Sequence, residues 1–154
     1  MNEKKILYID MDGVLADFEH GKMKWLSTHP EHASFFAGNA DFIHGIFRDL
    51  PLMEGALYGV YKLCESGKYD MFIASTAPWT NPAAAADKRY WIEKHFGNMF
   101  EKRMFITHRK DLLIGDYLID DRLKNGAGEF KGELLHFGNG RAYPTWQSVL
   151  DKLL

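Results

Sequence analysis

The stretch that most restricts how this chain can fold is Lys5-Ile6-Leu7-Tyr8-Ile9-Asp10-Met11-Asp12-Gly13-Val14-Leu15, an apolar run that stops at two carboxylates one residue apart and then a glycine. A short apolar run between polar bounds reads as a buried strand, and open parallel sheets collect their ligands where such strands end. Asp10 and Asp12 therefore belong at a ligand-bearing edge. Placed so close, they repel each other unless a cation or a shared proton intervenes, and Gly13 lets the chain turn sharply behind them. The arrangement points to a divalent metal or an acid/base pair. An ordinary polar turn is the alternative, and it loses ground because the same pattern recurs downstream.

Tyr69 to Ala74 is a second apolar run, ending in Ser75-Thr76-Ala77-Pro78; Met104 to Thr107 is a third; Tyr117-Leu118-Ile119 is a fourth, ending in Asp120-Asp121-Arg122; Leu134 to Phe137 is a fifth. Helical patterns separate them. Leu15 to Ser27 reads as a helix broken before Pro30. Leu52-Met53-Glu54-Gly55 opens another, with Leu57, Val60, Tyr61 and Cys64 at i, i+3, i+4 and i+7 and Gly67 as its stop. Asn81 and Pro82 suit the N-cap and first position of a helix that runs through Ala83 to His95 and ends near Gly97. Trp146, Val149, Leu150 and Leu153 share one face of a C-terminal helix, while 108–111 and 125–132 read as loops.

Strands alternating with helical patterns imply an α/β fold with a mostly parallel sheet and helices on both faces. The segment Glu31 to Phe47 fits neither a strand nor one long helix, and it holds Phe35, Phe36, Phe42 and Phe47. It reads as a small helical cap inserted after the first strand. The expectation is one domain over residues 1–154, with residues about 16–50 as the cap.

A net charge of −2 from 19 basic and 21 acidic side chains supplies no global attraction for a polyanion, and no basic stripe is interleaved with aromatics, so a nucleic acid polymer is not expected. A nucleotide needs only a local site. Cys64 is the single cysteine and cannot form an internal disulfide. The segment Met1 to Lys5 lacks a signal-peptide run, and no window reaches the roughly 18 apolar residues of a membrane span. These readings lead to the expectation of a cytoplasmic protein with no membrane partner.

Asp10, Asp12 and Asp120 suit a hard, oxygen-seeking cation such as Mg2+. Ser75 and Thr76 offer hydroxyls to a phosphoryl group. Lys88 precedes Trp91 and Ile92 by three and four residues, so its ammonium shares the stripe that faces the body, where it needs an anionic partner or a route to solvent. Asp10 is then a nucleophile toward phosphorus and Asp12 the group that protonates the departing oxygen and later activates water. A cation bound for stability alone would use the same aspartates but leaves Ser75 and Lys88 without a role. Phe42, Phe47 and Trp79 are candidates for stacking on a flat base, each worth roughly 1 kcal/mol beyond its area burial.

The chain also resembles a known family. Asp10-Met11-Asp12-Gly13-Val14-Leu15-Ala16-Asp17-Phe18 is similar to the first signature of the haloacid dehalogenase (HAD) superfamily in its 5'(3')-deoxyribonucleotidase form. The resemblance continues through Leu52 to Ala56, Phe72 to Thr76, Lys88 to Gly97 and Leu118 to Arg122. It implies a HAD-like Rossmannoid sheet and magnesium-dependent release of phosphate from nucleoside monophosphates, typically pyrimidine deoxyribonucleotides such as dUMP and dTMP. Carried over, Asp10 matches the nucleophile and Asp12 the general acid/base that also ligates metal through its backbone carbonyl. Ser75 matches the phosphate-binding hydroxyl, Lys88 the phosphate-neutralising lysine, Asp120 a metal ligand and Asp121 an acid supporting the metal's shell. The cap is shorter than in vertebrate members, Trp79 stands where some relatives have a basic residue, and the chain after the fifth strand is brief.

The reading is a phosphomonoesterase acting through an aspartyl-phosphate on a small-molecule nucleoside monophosphate, with a homodimer left open. Its rivals are the same chemistry on another small ester such as a sugar phosphate, and a nucleotide-binding regulatory module without turnover.

Overall fold

A computed structural model describes residues 3–154; Met1 and Asn2, the start of the N-terminal segment read above, lie outside the described residues. Each apolar run is a strand: β1 (Lys5–Ile9), β2 (Tyr69–Ser75), β3 (Met104–Ile106), β4 (Tyr117–Asp120) and β5 (Glu133–His136). All pair in parallel, in the order β3-β2-β1-β4-β5. Parallel pairing puts every C-terminal strand end on one edge, and the order reverses beside β1, which is where open α/β sheets leave a crevice.

Side chains alternate across the sheet with the period of two that strands impose. Leu7, Ile9, Met71, Ile73, Ile119 and Leu135 face one side, where they pack with α3 (Ala56–Ser66), α4 (Ala84–Phe96) and α5 (Trp146–Leu153). Tyr8, Ala74 and Leu118 face the other, packing with Ala127, Phe130 and the partly buried Ile6, Phe72, Leu113 and Leu134. The flanking helices are unequally shared. Connections 107–116 and 121–132 are short and form 3-10 turns at Lys110–Leu112 and Ala127–Glu129, which cover the second face. The Tyr8 hydroxyl fastens that cover by donating to the Ile114 carbonyl at 2.7 Å.

Three local expectations differ from the structure. The first helix, α1 (Phe18–Thr28), begins three residues later than read, because Asp17 caps it by accepting from the His20 N–H while Leu15 and Ala16 are drawn into the core. On α3 the buried stripe is Ala56, Gly59, Val60 and Leu63; Leu57, Tyr61 and Cys64 are exposed. Gly59 sets this rotation: a Cβ there would stand 2.5 Å from the Trp146 ring, so the helix turns its bare backbone toward α5. Asn81 does not cap α4, whose N-cap is Ala83. Its buried amide instead donates to the Asp41 and Ile43 carbonyls at 3.1 and 3.0 Å, tying the cap to the body.

The cap comprises α1, a 3-10 turn at Pro30–His32, α2 (Ala33–Phe36) and further 3-10 turns at Ala40–Phe42 and Ile46–Arg48. Its outer arm, through α2, buries no residue fully, whereas its inner part sends Ala40, Ile43, Ile46, Phe47 and Leu50 into the core. The two roots are joined where the Asp17 N–H donates to Pro51 and the Met53 N–H to Leu15. No described helix is long and apolar enough to cross a membrane.

Candidate active site

Asp10 follows β1 directly, and its N–H donates to the Ile119 carbonyl at 2.9 Å, which brings it beside Asp120 at the end of β4. The chain then folds back at once: the Met11 carbonyl accepts from the N–H groups of both Leu15 and Ala16, at 2.8 and 2.9 Å. That turn needs Gly13, whose φ is +81° and where a Cβ would collide with the Asp121 carboxylate. One glycine thus lets two acidic strand ends converge.

Carboxylate oxygens of Asp10, Asp120 and Asp121 all lie within 4.8 Å of one another. Asp10 and Asp120 are buried, and Asp121 Oδ1 is buried with no hydrogen-bond partner among the described residues. Burial first, and then repulsion from Asp120, push the Asp10 carboxyl up to about 6 despite the attraction of Lys110. Burial, and then the charges of Asp10 and Asp120, push Asp121 up to about 8. Three oxygen donors that resist ionising together, one of them unpartnered, make a donor set suited to a hard divalent cation. The oxygens gathered are those of Asp10, Asp120 and Asp121; the Asp12 carboxylate stands outside the cluster.

Lys110 is the residue the sequence reading left as part of a polar loop. It is 3% exposed, and its ammonium donates to Asp10 Oδ1 at 3.0 Å and Asp120 Oδ2 at 2.6 Å. Burial pulls its pKa down, but the attraction of the two carboxylates outweighs that and raises it. Its position above the sheet edge comes from the 3-10 turn of connection 107–116 and from its N–H donating to the Asn125 carbonyl at 2.8 Å.

A cavity of about 470 Å³ opens from this edge under the cap. Asp10, Asp12, Lys110, Asp120 and Asp121 line its floor side, Thr76 and Pro78 one wall, and Phe18, Ala40, Asp41 and Phe47 the cap side. Phe18 and Phe47 are stacked, with centroids 5.6 Å apart and planes at 23°. Phe18 carried no aromatic role in the sequence reading, although it closes the first motif. Phe42 is not on the cavity wall, and Trp79 is 89% exposed and off that wall, its ring in a T-shaped pair with His108, which does line the cavity.

Lys88 is fully buried and off the cavity wall. It donates to Asp12 Oδ2 at 2.5 Å, Ser75 Oγ at 2.8 Å and the Thr76 carbonyl at 2.8 Å. Ser75 is also fully buried, and the Thr76 hydroxyl donates to the Thr107 carbonyl at 2.8 Å. The packed-side lysine thus has its anionic partner, Asp12, while Lys110 is the buried cation that lines the cavity, with Lys22, Arg122 and Lys124 also on its wall. Burial raises the Asp12 carboxyl, with Lys88 opposing.

Residues 22–145 match the model of the family described as 5' nucleotidase, deoxy (pyrimidine), cytosolic type C protein. A protein of Vibrio phage KVP40 named as a candidate 5'(3')-deoxyribonucleotidase is 44% identical over 98% of this chain and 85% of its own length. The cytosolic 5'(3')-deoxyribonucleotidase of Homo sapiens is 28% identical over 74% of this chain and 69% of its own length. Among solved structures, a candidate HAD-hydrolase of Bacillus subtilis bound to magnesium, YfnB, superposes with a TM-score of 0.63 at 10% identity, covering 99% of each chain. A HAD family hydrolase of Deinococcus radiodurans R1, with bound phosphate and sodium, gives 0.56 at 12% identity, covering 97% of this chain and 88% of that one.

Proposed function

Because this chain belongs to the 5'(3')-deoxyribonucleotidase family of the HAD superfamily and is a phosphoric monoester hydrolase of that type, we propose that it releases phosphate from deoxynucleoside monophosphates, with pyrimidine nucleotides such as dUMP and dTMP preferred. The observation that carries this reading is one cavity that joins a buried nucleophile candidate, Asp10, to a stacked aromatic pair, Phe18 and Phe47. A phosphate end and a flat apolar end are what a nucleotide requires.

In this reading Asp10 attacks phosphorus as the ester P–O bond breaks, and the electron pair left on the departing oxygen takes a proton from Asp12. Water then attacks the aspartyl-phosphate, Asp12 takes the water's proton, and the P–O bond to Asp10 breaks to return the carboxylate and inorganic phosphate. Among the described residues, two of the three ammonium protons of Lys110 go to Asp10 and Asp120, which leaves the third for a phosphoryl oxygen. Asp10, Asp120 and Asp121, with the Asp12 backbone carbonyl, would hold Mg2+. When bound, that ion neutralises charge on the transferring group. The base packs against Phe18 and Phe47, and Pro78 and Thr76 also line the cavity.

Steady-state phosphate release from dUMP, dTMP, dAMP, UMP, a 3'-monophosphate and a sugar phosphate, each with Mg2+ and with EDTA, tests this. Magnesium-dependent turnover favouring the pyrimidine deoxynucleotides is expected. Equal rates on the sugar phosphate would remove the nucleotide from the proposal; saturable binding without release would remove the turnover.

A further inference from the structure

We propose that Lys88 positions the proton donor rather than the phosphate: it anchors the Asp12 carboxylate and ties that anchor to the cap. The inference rests on the reading of Asp12 as general acid. An ammonium has three N–H donors, and those of Lys88 go to Asp12 Oδ2, Ser75 Oγ and the Thr76 carbonyl, so none remains for a phosphoryl oxygen. The side chain is fully buried and does not reach the cavity, which Lys110 already supplies with a cation.

Seen from Asp12, the dependence is one-sided. Its side chain is 26% exposed on a turn, and among the described residues Lys88 is the hydrogen-bond partner of its carboxylate; Oδ1 has none. Without the ammonium nothing fixes the orientation of the acid toward the leaving oxygen, and general acid catalysis depends on that geometry.

The same ammonium lies 4.5 Å from the centroid of Phe47 on the cap floor. Around it α4 is fastened to that floor three more times. Arg48 of the cap reaches Asp87 at 3.6 Å and lies over the Tyr90 ring at 3.6 Å, and the Trp91 indole donates to the Leu50 carbonyl at 2.7 Å. Lys88 therefore sits where cap, helix and acid meet. A cap that fails to seat withdraws the ring from the cation that orients Asp12.

The roles separate by leaving group. A nucleotide expels an alkoxide that needs the Asp12 proton, whereas p-nitrophenyl phosphate expels a stable phenolate that does not. Lys88→Met is expected to lower kcat/KM, which reports only the steps up to departure of the alcohol, on dUMP and on ribose 5-phosphate about 100-fold, in the range of a lost general acid. On p-nitrophenyl phosphate the loss in kcat/KM stays below about 5-fold, although kcat falls on every ester through the shared, Asp12-assisted hydrolysis of the aspartyl-phosphate, and inhibition by inorganic phosphate is unchanged, because phosphate binding does not pass through Lys88. Lys110→Met is the contrast: both ester types slow together and phosphate inhibition weakens at least about 10-fold. Lys88→Met behaving like Lys110→Met would overturn the proposal.

Lys88→Met leaves Asp12 short of its one charged partner and endangers folding, so the Asp12→Asn/Lys88→Met double variant, which removes both charges, completes the cycle. It should be within about twofold of Asp12→Asn alone on the alkyl esters; a further tenfold loss would show that Lys88 acts elsewhere. Asp12→Asn losing equally in kcat/KM on alkyl and aryl esters would instead sink the acid role of Asp12. A wild-type enzyme active on ribose 5-phosphate but not on dUMP would overturn the nucleotide reading alone, with the Lys88 comparison read on the sugar ester.

Discussion

At the residue scale the site is a problem of too many carboxylates in one dry place. Asp10, Asp120 and Asp121 cannot all ionise cheaply among themselves, and Lys110 neutralises only part of the charge. Replacing Asp10 by asparagine removes one of the repelling charges without opening a core cavity. Asp10→Asn is therefore expected to abolish phosphate release, by about 10⁴-fold or more as befits a lost nucleophile, while melting without Mg2+ no lower than the wild type. A thermal melt beside a turnover assay checks both halves, and retained turnover would take the nucleophile's role away from Asp10. The acidic strand ends were legible because each closes an apolar run. The two lysines were only half legible. The Lys88–Trp91–Ile92 spacing put Lys88 on the packed face of α4, and it is there, but spacing along a helix does not say which anion waits across the gap. Lys110 is exposed in pattern and buried in fact, because its burial comes from the 125–126 turn closing over the 3-10 turn at Lys110–Leu112, a contact between distant parts of the chain.

At the scale of elements, the helices show where periodicity suffices. On α5, Trp146, Val149, Leu150 and Leu153 are buried as the i, i+3, i+4, i+7 pattern requires, and Thr145 with Ser148 closes the capping box that starts the helix. On α3 the same template selects the wrong face. It counts Leu57, Tyr61 and Cys64 as core and cannot count Gly59, which has no side chain yet lies so near α5 that an added Cβ would stand 2.5 Å from the Trp146 ring. The prediction at this scale is that Gly59→Ala costs about 1–3 kcal/mol, because the new methyl meets a fully packed indole whose N–H is already committed to the Val14 carbonyl at 2.8 Å. Urea unfolding measures this as a lower midpoint with an unchanged slope; an unaltered midpoint would mean that α5 can slide away from α3. The cap resisted sequence reading for a related reason. Its outer arm has no fully buried position to impose a period, so only its aromatic density was readable.

For the molecule as a whole, parallel topology makes the acidic edge a single electrostatic unit, and its charge state ties stability to pH and to the cation. Without a cation the Asp10 and Asp121 carboxyls are pushed up to about 6 and about 8, against roughly 4 in an unfolded chain. Between those values the folded protein holds more protons than the unfolded one. Stability is therefore greatest toward the acid end of the window and falls as pH climbs through 6 and then 8. Lys110, raised rather than lowered, stays charged throughout and adds no slope of its own in this range. A divalent cation that binds the deprotonated cluster of the folded chain reverses the trend, because it binds best where the protons have left. Urea midpoints measured at pH 5 and pH 8.5 should fall between the two in EDTA, hold level or rise in excess Mg2+, and so leave a magnesium increment that is larger at pH 8.5. An increment of the same size at both pH values would mean that the ion binds away from Asp10, Asp120 and Asp121. An Asp120→Asn variant separates the cases, since loss of a buried oxygen donor removes the increment at both pH values only if this cluster is where the cation sits.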